Sequence, residues 1–350
     1  MVKHQGNQGR PRCSFAESPF CLSFAGALHK QVTMPFFLPE YDSLHIHEMM
    51  LSDWARTETY QRAIEASVKP GNVVIDVGSG TGILAMFAAR AGARKVYSIE
   101  PTGMIELAKR IAKRNGLAER IEFIQAKVEE VELPEKADCL VSEWLGVFAL
   151  EENMLPCIAH ARDHLLKPEG QLLPQEVGLF LALVEEEELY EKRIGRWRRH
   201  PYGLDYTDFA AAQANDVQTF WFPVNDLLSH ASQVAQINMR KAVTSRLHLE
   251  TRLSAYRDGT CHGLIGWFRA EFPGGIALDT GPAQPWTHWD HAFFPVPEPF
   301  AINAGDEIAV QLDAEPEGPV VHFSWQVKQL ALTDRPAQAG DTRRARFGGR

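Results

Sequence analysis

Residues 73–100 read VVIDVGSGTGILAMFAARAGARKVYSIE. The apolar run Val73, Val74 and Ile75 closes on Asp76 and reads as a strand. A loop carrying Gly78, Gly80 and Gly82 follows, residues 83–91 keep a helix-compatible pattern, and Val96 to Ile99 form a second strand-like run ending on Glu100. A strand–loop–helix–strand unit of this kind is the nucleotide-binding half of a Rossmann-like, doubly wound α/β fold. The loop glycines carry no Cβ, so the backbone can pass close to a ligand.

The glycine spacing narrows the ligand. Dinucleotide folds use G-x-G-x-x-G, which leaves room for a pyrophosphate at the helix start. Here the spacing is G-x-G-x-G, Ile83 follows the third glycine, and the acid Asp76 stands just before the loop. This form suits a cofactor without phosphates, S-adenosylmethionine, whose amino-acid end lies over the glycines. Glu100, twenty residues beyond Gly80 at the tip of the second strand, is placed to take both ribose hydroxyls. A nicotinamide site, or a Rossmann unit that binds nothing, is the competing reading.

A chain of 350 residues holds one large domain or two ordinary ones, and 45% apolar residues are enough for a sizeable core. The formal net charge of −9 argues against binding a phosphate backbone, so nucleic acid is not an expected partner. The same charge draws basic substrates. Cys13, Cys21, Cys139, Cys157 and Cys261 are scattered, with no pair at metal-ligand spacing, so no metal site is expected. They read as the reduced thiols of a cytoplasmic protein. No apolar run approaches the ~18 residues of a membrane span.

Along the chain, residues 1–33 are Ser-, Gly- and basic-rich and read as a disordered extension. Residues 34–173 read as the cofactor domain. Within them Ile46, Met49, Met50 and Leu51 share a helix face, with Asp53, Arg56 and Tyr60 following at helical spacing, so this segment is placed to close over the cofactor. Beyond Glu100 the expected elements are a helix stopped at Asn115 and Gly116, a strand from Ile121, a strand from Cys139 to Ser142, and a helix over 153–166 ending in a Lys167–Gly170 turn. Alternating strands and helices predict a parallel sheet with its ligands beyond the carboxyl ends of the strands, where Gly78, Glu100, Glu129 and Glu143 fall. Past Pro174 the period changes to two: Phe268, Ala270 and Phe272 alternate with Trp267, Arg269 and Glu271. Residues 174–330 therefore read as a second, antiparallel domain, a sandwich or barrel, interrupted by an irregular insertion at about 196–236. Residues 331–350 are Ala-, Arg- and Gly-rich and read as a disordered tail.

In SEWLGVFALEENML, residues 142–155, Glu143 and Glu152 flank a loop containing Gly146. Two carboxylates at the mouth of such a site match a guanidinium, which is planar, carries five donors and stays protonated near neutral pH. Each Glu can accept paired hydrogen bonds from it, fixing its orientation. Two solvated loop glutamates are the bland alternative. In PWTHWDHAF, residues 285–293, His288 stands between Trp286 and Trp289. Trp289 can stack on a cation, and His288, paired with Asp53, can pass on the proton lost by an alkylated nitrogen. A purely structural histidine is the alternative there.

From about Tyr41 to Leu330 the chain resembles the protein arginine methyltransferase family. The resemblance rests on HEMMLSDWARTETY, VIDVGSGTGILAMFAARAGA, YSIE, KVEEVELP, SEWLGVFALEENM and THW. It implies a β-barrel domain joined through Pro174 and a helical dimerisation arm at about 196–236, hence a homodimer. By position it implies Glu143 and Glu152 as the paired substrate glutamates, and Arg56 as the holder of the cofactor carboxylate. Gly78 falls under the cofactor beside Asp76 and Gly80, Glu100 at the ribose and Glu129 at the adenine. Asp53 and His288 match the proton-relay pair, while Met50 and Met154 line the acceptor pocket and favour monomethylarginine followed by asymmetric dimethylarginine, with a stop at monomethylarginine as the alternative that the altered covering helix leaves open. The chain departs from the pattern at Tyr41 to Leu44, which keeps at most one covering-helix aromatic, at Met49, where the family has a second Glu, and at Glu151, which replaces an aromatic. The expected activity is methyl transfer to arginine in proteins. Free arginine or a small guanidino compound is an alternative acceptor, and a catalytically inactive cofactor-binding scaffold is an alternative of another class.

Overall fold

Asp53 ends one helix and begins the next. The computed structural model describes residues 43–330 and 337–345; the expectations for residues 1–33, for Tyr41 and for the remainder of the tail lie outside the described residues. Helix α1 (Leu44–Ser52) and helix α2 (Trp54–Ser67) are separated by Asp53, whose backbone is extended (φ −76°, ψ 91°). Its carboxylate accepts the Arg56 N–H at 2.9 Å and caps α2.

A parallel sheet follows, built from β1 (Val73–Val77), α3 (Ile83–Arg90), β2 (Lys95–Ile99), α4 (Met104–Arg114), β3 (Ile121–Ile124), β4 (Ala137–Val141), α5 (Leu155–Leu165) and β5 (Leu166–Leu173). The order is β3-β2-β1-β4-β5. β1 is buried along its whole length, as a central parallel strand covered on both faces must be. The strand order reverses between β1 and β4, so a crevice opens beyond their carboxyl ends. The turn expected at Lys167–Gly170 is instead part of β5. Pro168, which has no N–H to donate, is tolerated because β5 is an edge strand and its pairing with β4 shifts register there.

The chain enters its antiparallel part through Pro174, whose peptide with Leu173 is cis. The elements there are β6 (Glu176–Val184), α6 (Glu187–Arg193), α7 (Thr207–Gln213), β7 (Gln218–Phe220), β8 (Ser232–Asn238), β9 (Leu247–Ser254), β10 (Gly259–Phe272), β11 (Ile276–Asp279), β12 (His291–Ile302), β13 (Glu307–Glu317), β14 (Val320–Gln329) and β15 (Gln338–Asp341). Their ladders form two sheets, β7-β12-β10-β6-β8 with β11 beside β10, and β15-β14-β13-β9. The expected barrel is thus a pair of antiparallel sheets among the described residues. Phe294 of the first meets Trp325 and Phe323 of the second edge to face, with ring centroids 5.4 and 5.9 Å apart.

Two expectations need correction. The insertion expected at about 196–236 does not run to 236, because residues from Ser232 on pair with β6. Much of it also packs back on its own sheet. Ala210, Ala214, Phe222 and Leu227 of the insertion, with Tyr190 and Ile194 just before it, form a second core with Val184, Ile265, Trp267 and Phe293. That cover explains why Trp267, on the strand face opposite Phe268 and Ala270, is buried as well. The tail is not wholly without structure either: Gln338–Asp341 extends the second sheet. An edge strand needs only backbone partners, and Gly340 has no Cβ to collide with the Trp325 ring.

Candidate active site

A cavity of about 900 Å³ opens at the strand-order reversal. One wall is the glycine loop. Gly78 and Gly80 hold φ of 70° and 50°, a left-handed backbone that favours glycine. A Cβ on Gly80 would stand 2.7 Å from Cε1 of His47, so the buried imidazole of α1 lies directly over the loop. The sequence reading does not single out His47; its signal is its place one turn before Met50 and Leu51, which also line the cavity. Met154, at the start of α5, reaches to within 3.9 Å of the Cβ position of Gly78.

Glu100 is 6% exposed, and both its oxygens are engaged. One accepts the Gly80 N–H at 2.8 Å and the other the Thr102 N–H at 2.9 Å. A carboxylate oxygen has more than one acceptor direction, so both retain capacity for a hydroxyl. Glu129 is exposed on the turn after β3 and borders the same cavity. The Cys157 thiol beside it is pushed up to about 12, first by burial and then by its hydrogen bond to Glu129. Asp76 differs from its expected place: it stands behind the loop and not in the cavity wall. Its Oδ2 accepts the Ala85 N–H at 2.9 Å and fixes the first turn of α3, while its Oδ1 has no hydrogen-bond partner among the described residues. Burial, opposed by that hydrogen bond, raises its carboxyl to about 7.

The opposite wall joins distant segments. Glu143, just past β4, takes Nε and Nη2 of Arg56 on one oxygen at 2.9 and 2.8 Å. Its other oxygen accepts the Leu145 N–H at 3.0 Å. The sequence assigns Arg56 and Glu143 to separate contacts, one to the cofactor and one to the substrate; here they form a buried ion pair with each other. The loop to Glu152 passes through Phe148 and Ala149 at φ of 51° and 59°, and Asn153 follows at 48°. A non-glycine residue in that region costs on the order of 1–2 kcal/mol. The loop is held in this shape by the Phe148 ring, which packs edge to face on both Phe294 and Phe323 at 5.6 and 6.2 Å and completes a three-ring cluster with them. Gly146 lets the loop close: a Cβ there would stand 2.8 Å from Cγ of Glu152.

His288 arrives from the antiparallel part. Its Nδ1 lies 2.8 Å from Oδ2 of Asp53, which also accepts the His288 backbone N–H at 2.9 Å. Burial pushes the Asp53 carboxyl up, but the His288 hydrogen bonds and the Arg56 N–H outweigh it and hold the group below its ordinary value. Trp289, expected to stack on a cation, is 5% exposed. Its Nε1 donates to the Leu145 carbonyl, and its ring lies against His288 at 4.1 Å and Phe268 at 5.0 Å. It buttresses His288 while contributing to the cavity wall.

Residues 74–170 match a methyltransferase domain family, and residues 175–326 match the arginine methyltransferase oligomerization subdomain. Protein arginine N-methyltransferase 1 of Saccharomyces cerevisiae is 32% identical over 290 residues, which cover 80% of this chain and 83% of the yeast protein. Protein arginine N-methyltransferase 6 of Danio rerio is 34% identical over 299 residues, covering 81% and 83%. The chain belongs to the protein arginine N-methyltransferase family. Among solved structures, the Trypanosoma brucei PRMT1 enzyme–prozyme heterotetrameric complex with AdoHcy superposes with a TM-score of 0.81 at 28% identity, covering 86% of this chain and 99% of that one. Arabidopsis thaliana protein arginine methyltransferase 10 superposes at 0.77 with 26% identity. This arginine methyltransferase uses S-adenosylmethionine, and its cavity fits that cofactor. The loop beneath has no side chains at Gly78 and Gly80, a carboxylate stands at the β2 tip, and the volume lies within the usual range of cofactor pockets.

Proposed function

We propose that the enzyme methylates a guanidino nitrogen of arginine in protein substrates. The observation that carries this reading is the meeting in one cavity of the glycine loop, the Glu143–Glu152 loop and the His288–Asp53 pair. S-adenosylmethionine bound over the glycines supplies the methyl group. Gly78 and Gly80 let it approach the backbone, Glu100 takes the ribose, Glu129 the adenine and Arg56 the cofactor carboxylate, with Asp76 holding the loop from behind. Glu143 and Glu152 accept the guanidinium N–H groups and set its plane. Arg56 fixes Glu143 for that task, since their hydrogen bonds leave the carboxylate one orientation. His288, oriented by Asp53, receives the proton released by the methylated nitrogen. Met50 and Met154 border the acceptor space and yield to an added methyl more easily than a rigid ring would. The products are therefore monomethylarginine and then asymmetric dimethylarginine.

The assembly we propose is a homodimer. The insertion leaves Tyr202 85%, Leu204 57%, Trp221 47% and Val224 48% exposed, on the outer side of the part that covers its own sheet. Charged substitution of Tyr202 and Leu204 together should halve the mass seen by light scattering; an unchanged dimer would move the interface elsewhere. The location is cytoplasmic, which the unpaired Cys139, Cys157 and Cys261 support. Among the described residues no helix is long and apolar enough to cross a membrane.

Mass spectrometry after incubation with S-adenosylmethionine, an Arg-Gly-rich protein and free arginine in parallel tests the activity. Methyl groups on protein arginine are expected. Label found only in free arginine would assign the small acceptor instead, and none in either would leave a cofactor-binding scaffold.

A further inference from the structure

Glu152 is bracketed by two ties to a hairpin far away in the chain. Val321 donates its N–H to the Glu151 carbonyl at 3.3 Å, and Nδ2 of Asn153 donates to the Gly318 carbonyl at 2.7 Å, across 165 residues of sequence. Phe148, earlier in the same loop, meets Phe323 edge to face. Residues 148, 151 and 153 thus meet 323, 321 and 318 in turn, so the loop runs antiparallel along the start of β14. In that register Glu152 falls opposite Pro319, and both border the cavity. Pro319 has no N–H, so its backbone cannot tie up the carboxylate.

The hairpin is a firm support. β13 and β14 pair without a break from Ile308 and Gln329 to Glu317 and Val320, which leaves only Gly318 and Pro319 in the turn. A two-residue turn that closes a long ladder has little freedom. Asn153 holds its side of the contact at a local cost. Its backbone is left-handed, φ 48°, and its Oδ1 is buried without a hydrogen-bond partner among the described residues. The Gly318 carbonyl is an acceptor only, so the amide nitrogen must face it and the amide oxygen is left in the buried place. An unpaired buried acceptor and a left-handed backbone at a residue other than glycine both work against stability. Such costs persist where the surroundings impose them, and they gather at active sites. Here they fall on the residue next to Glu152.

We propose that Asn153 is a positioning residue for the acceptor site: its bond to the Gly318 carbonyl sets the Glu152 carboxylate where it meets the guanidinium. This role rests on the arginine-methylation reading above, in which Glu152 accepts guanidinium N–H groups. A guanidinium shared by two carboxylates is oriented only when both are held in place. Arg56 holds Glu143 through its side chain. Glu152 is held through its backbone, by Val321 on one side and Gly318 on the other. The Val321 tie joins two main-chain groups, so the Asn153 tie is the one a side-chain substitution can cut.

Asn153→Gly removes the tie and accepts the positive φ without strain. Asn153→Asp keeps the shape and tolerates the same φ, but it sets a carboxylate oxygen against the Gly318 carbonyl. Each is measured for turnover with an Arg-Gly peptide, for S-adenosylmethionine affinity by calorimetry and for thermal unfolding, alone and combined with Glu152→Gln. Both single variants should turn over roughly ten- to a hundredfold more slowly, the usual result of a small misplacement of an orienting group. Cofactor affinity should stay that of the parent, and Asn153→Gly should unfold at the parent's temperature. On the Glu152→Gln background neither should slow the enzyme further, because the carboxylate they act through is already gone. The same loss on both backgrounds would mean that Asn153 supports the loop without acting through Glu152, and would overturn the positioning role. Single variants at parent turnover, with Glu152→Gln still slow, would overturn it and leave the arginine-methylation reading standing. Glu152→Gln at parent turnover would overturn the role of Glu152 itself, and that of Asn153 with it.

Discussion

Glu100 reaches Gly80 across 20 residues of chain, whereas His288 reaches Asp53 across 235. The two bonds mark the two ends of one cavity. At the cofactor end the groups sit on successive strand ends and turns of one parallel sheet, and they hold one another through backbone amides. At the acceptor end α2, the Glu143–Glu152 loop and the stretch before β12 meet only because both parts of the fold are packed together. Phe148, packed on both Phe294 and Phe323, and Tyr60, edge-on to Phe272 at 5.0 Å, carry that packing. The difference separates what each end controls. Changes at the cofactor end should show as affinity for S-adenosylmethionine, and changes at the acceptor end as turnover with that affinity kept.

The largest effect should come from Glu152→Gln. The side chain keeps its shape against Gly146, while the charge proposed to orient the guanidinium is lost. Turnover should fall by about 10²–10³, the usual cost of removing one preorganised electrostatic contact, with the affinity for S-adenosylmethionine intact. Turnover close to that of the parent enzyme would make Glu152 a solvated loop residue and erase the distinction between the two ends.

Glu100→Ala should do the reverse. Loss of a buried carboxylate that also ties down the Gly80 and Thr102 amides should weaken S-adenosylmethionine by roughly 10- to 100-fold, at about 1.5–3 kcal/mol for a charge-assisted hydrogen bond. Turnover at saturating cofactor should change far less. Calorimetry that finds unchanged affinity would remove Glu100 from the ribose.

The same contrast governs how much of the molecule is legible in its sequence. The glycine loop, Asp76 and Glu100 lie within 28 consecutive residues, and local spacing is enough to name a cofactor. Nothing local links Asp53 to His288 or Arg56 to Glu143; the first pair is suggested by the chemistry of a proton relay and matched by family resemblance, and the ion pair of the second is invisible in the sequence. His47 goes unnoticed because one histidine on a helix says nothing about the loop it will cover. Trp267 misleads because period-two alternation shows the sheet faces but not that an insertion folds back over one of them. The strand at Gln338–Asp341 is hidden by composition, since an edge strand can form on backbone hydrogen bonds with few apolar residues.

Asp76 gives the smallest and most specific test, because it stands behind the cofactor end and not in its wall. Its folded carboxyl is raised to about 7, chiefly by burial, with the Glu100 charge adding to the rise. Between the ordinary carboxylate value and about 7 the folded protein therefore holds a proton that the unfolded chain has lost. Stability should fall as pH rises through that window and level off above it, with a slope of at most about 1.4 kcal/mol per pH unit. In Asp76→Asn the amide oxygen can still accept the Ala85 N–H, but the group is neutral at every pH, so this slope should disappear. S-adenosylmethionine brings positive charge toward the same loop and favours the ionised carboxylate, so the parent enzyme should show a shallower slope when saturated with cofactor. Urea unfolding of the parent and the variant, each with and without cofactor across this range, measures all four slopes. Parallel slopes for the two proteins without cofactor would mean that Asp76 titrates as an ordinary carboxylate and that the loop is held by its glycines alone.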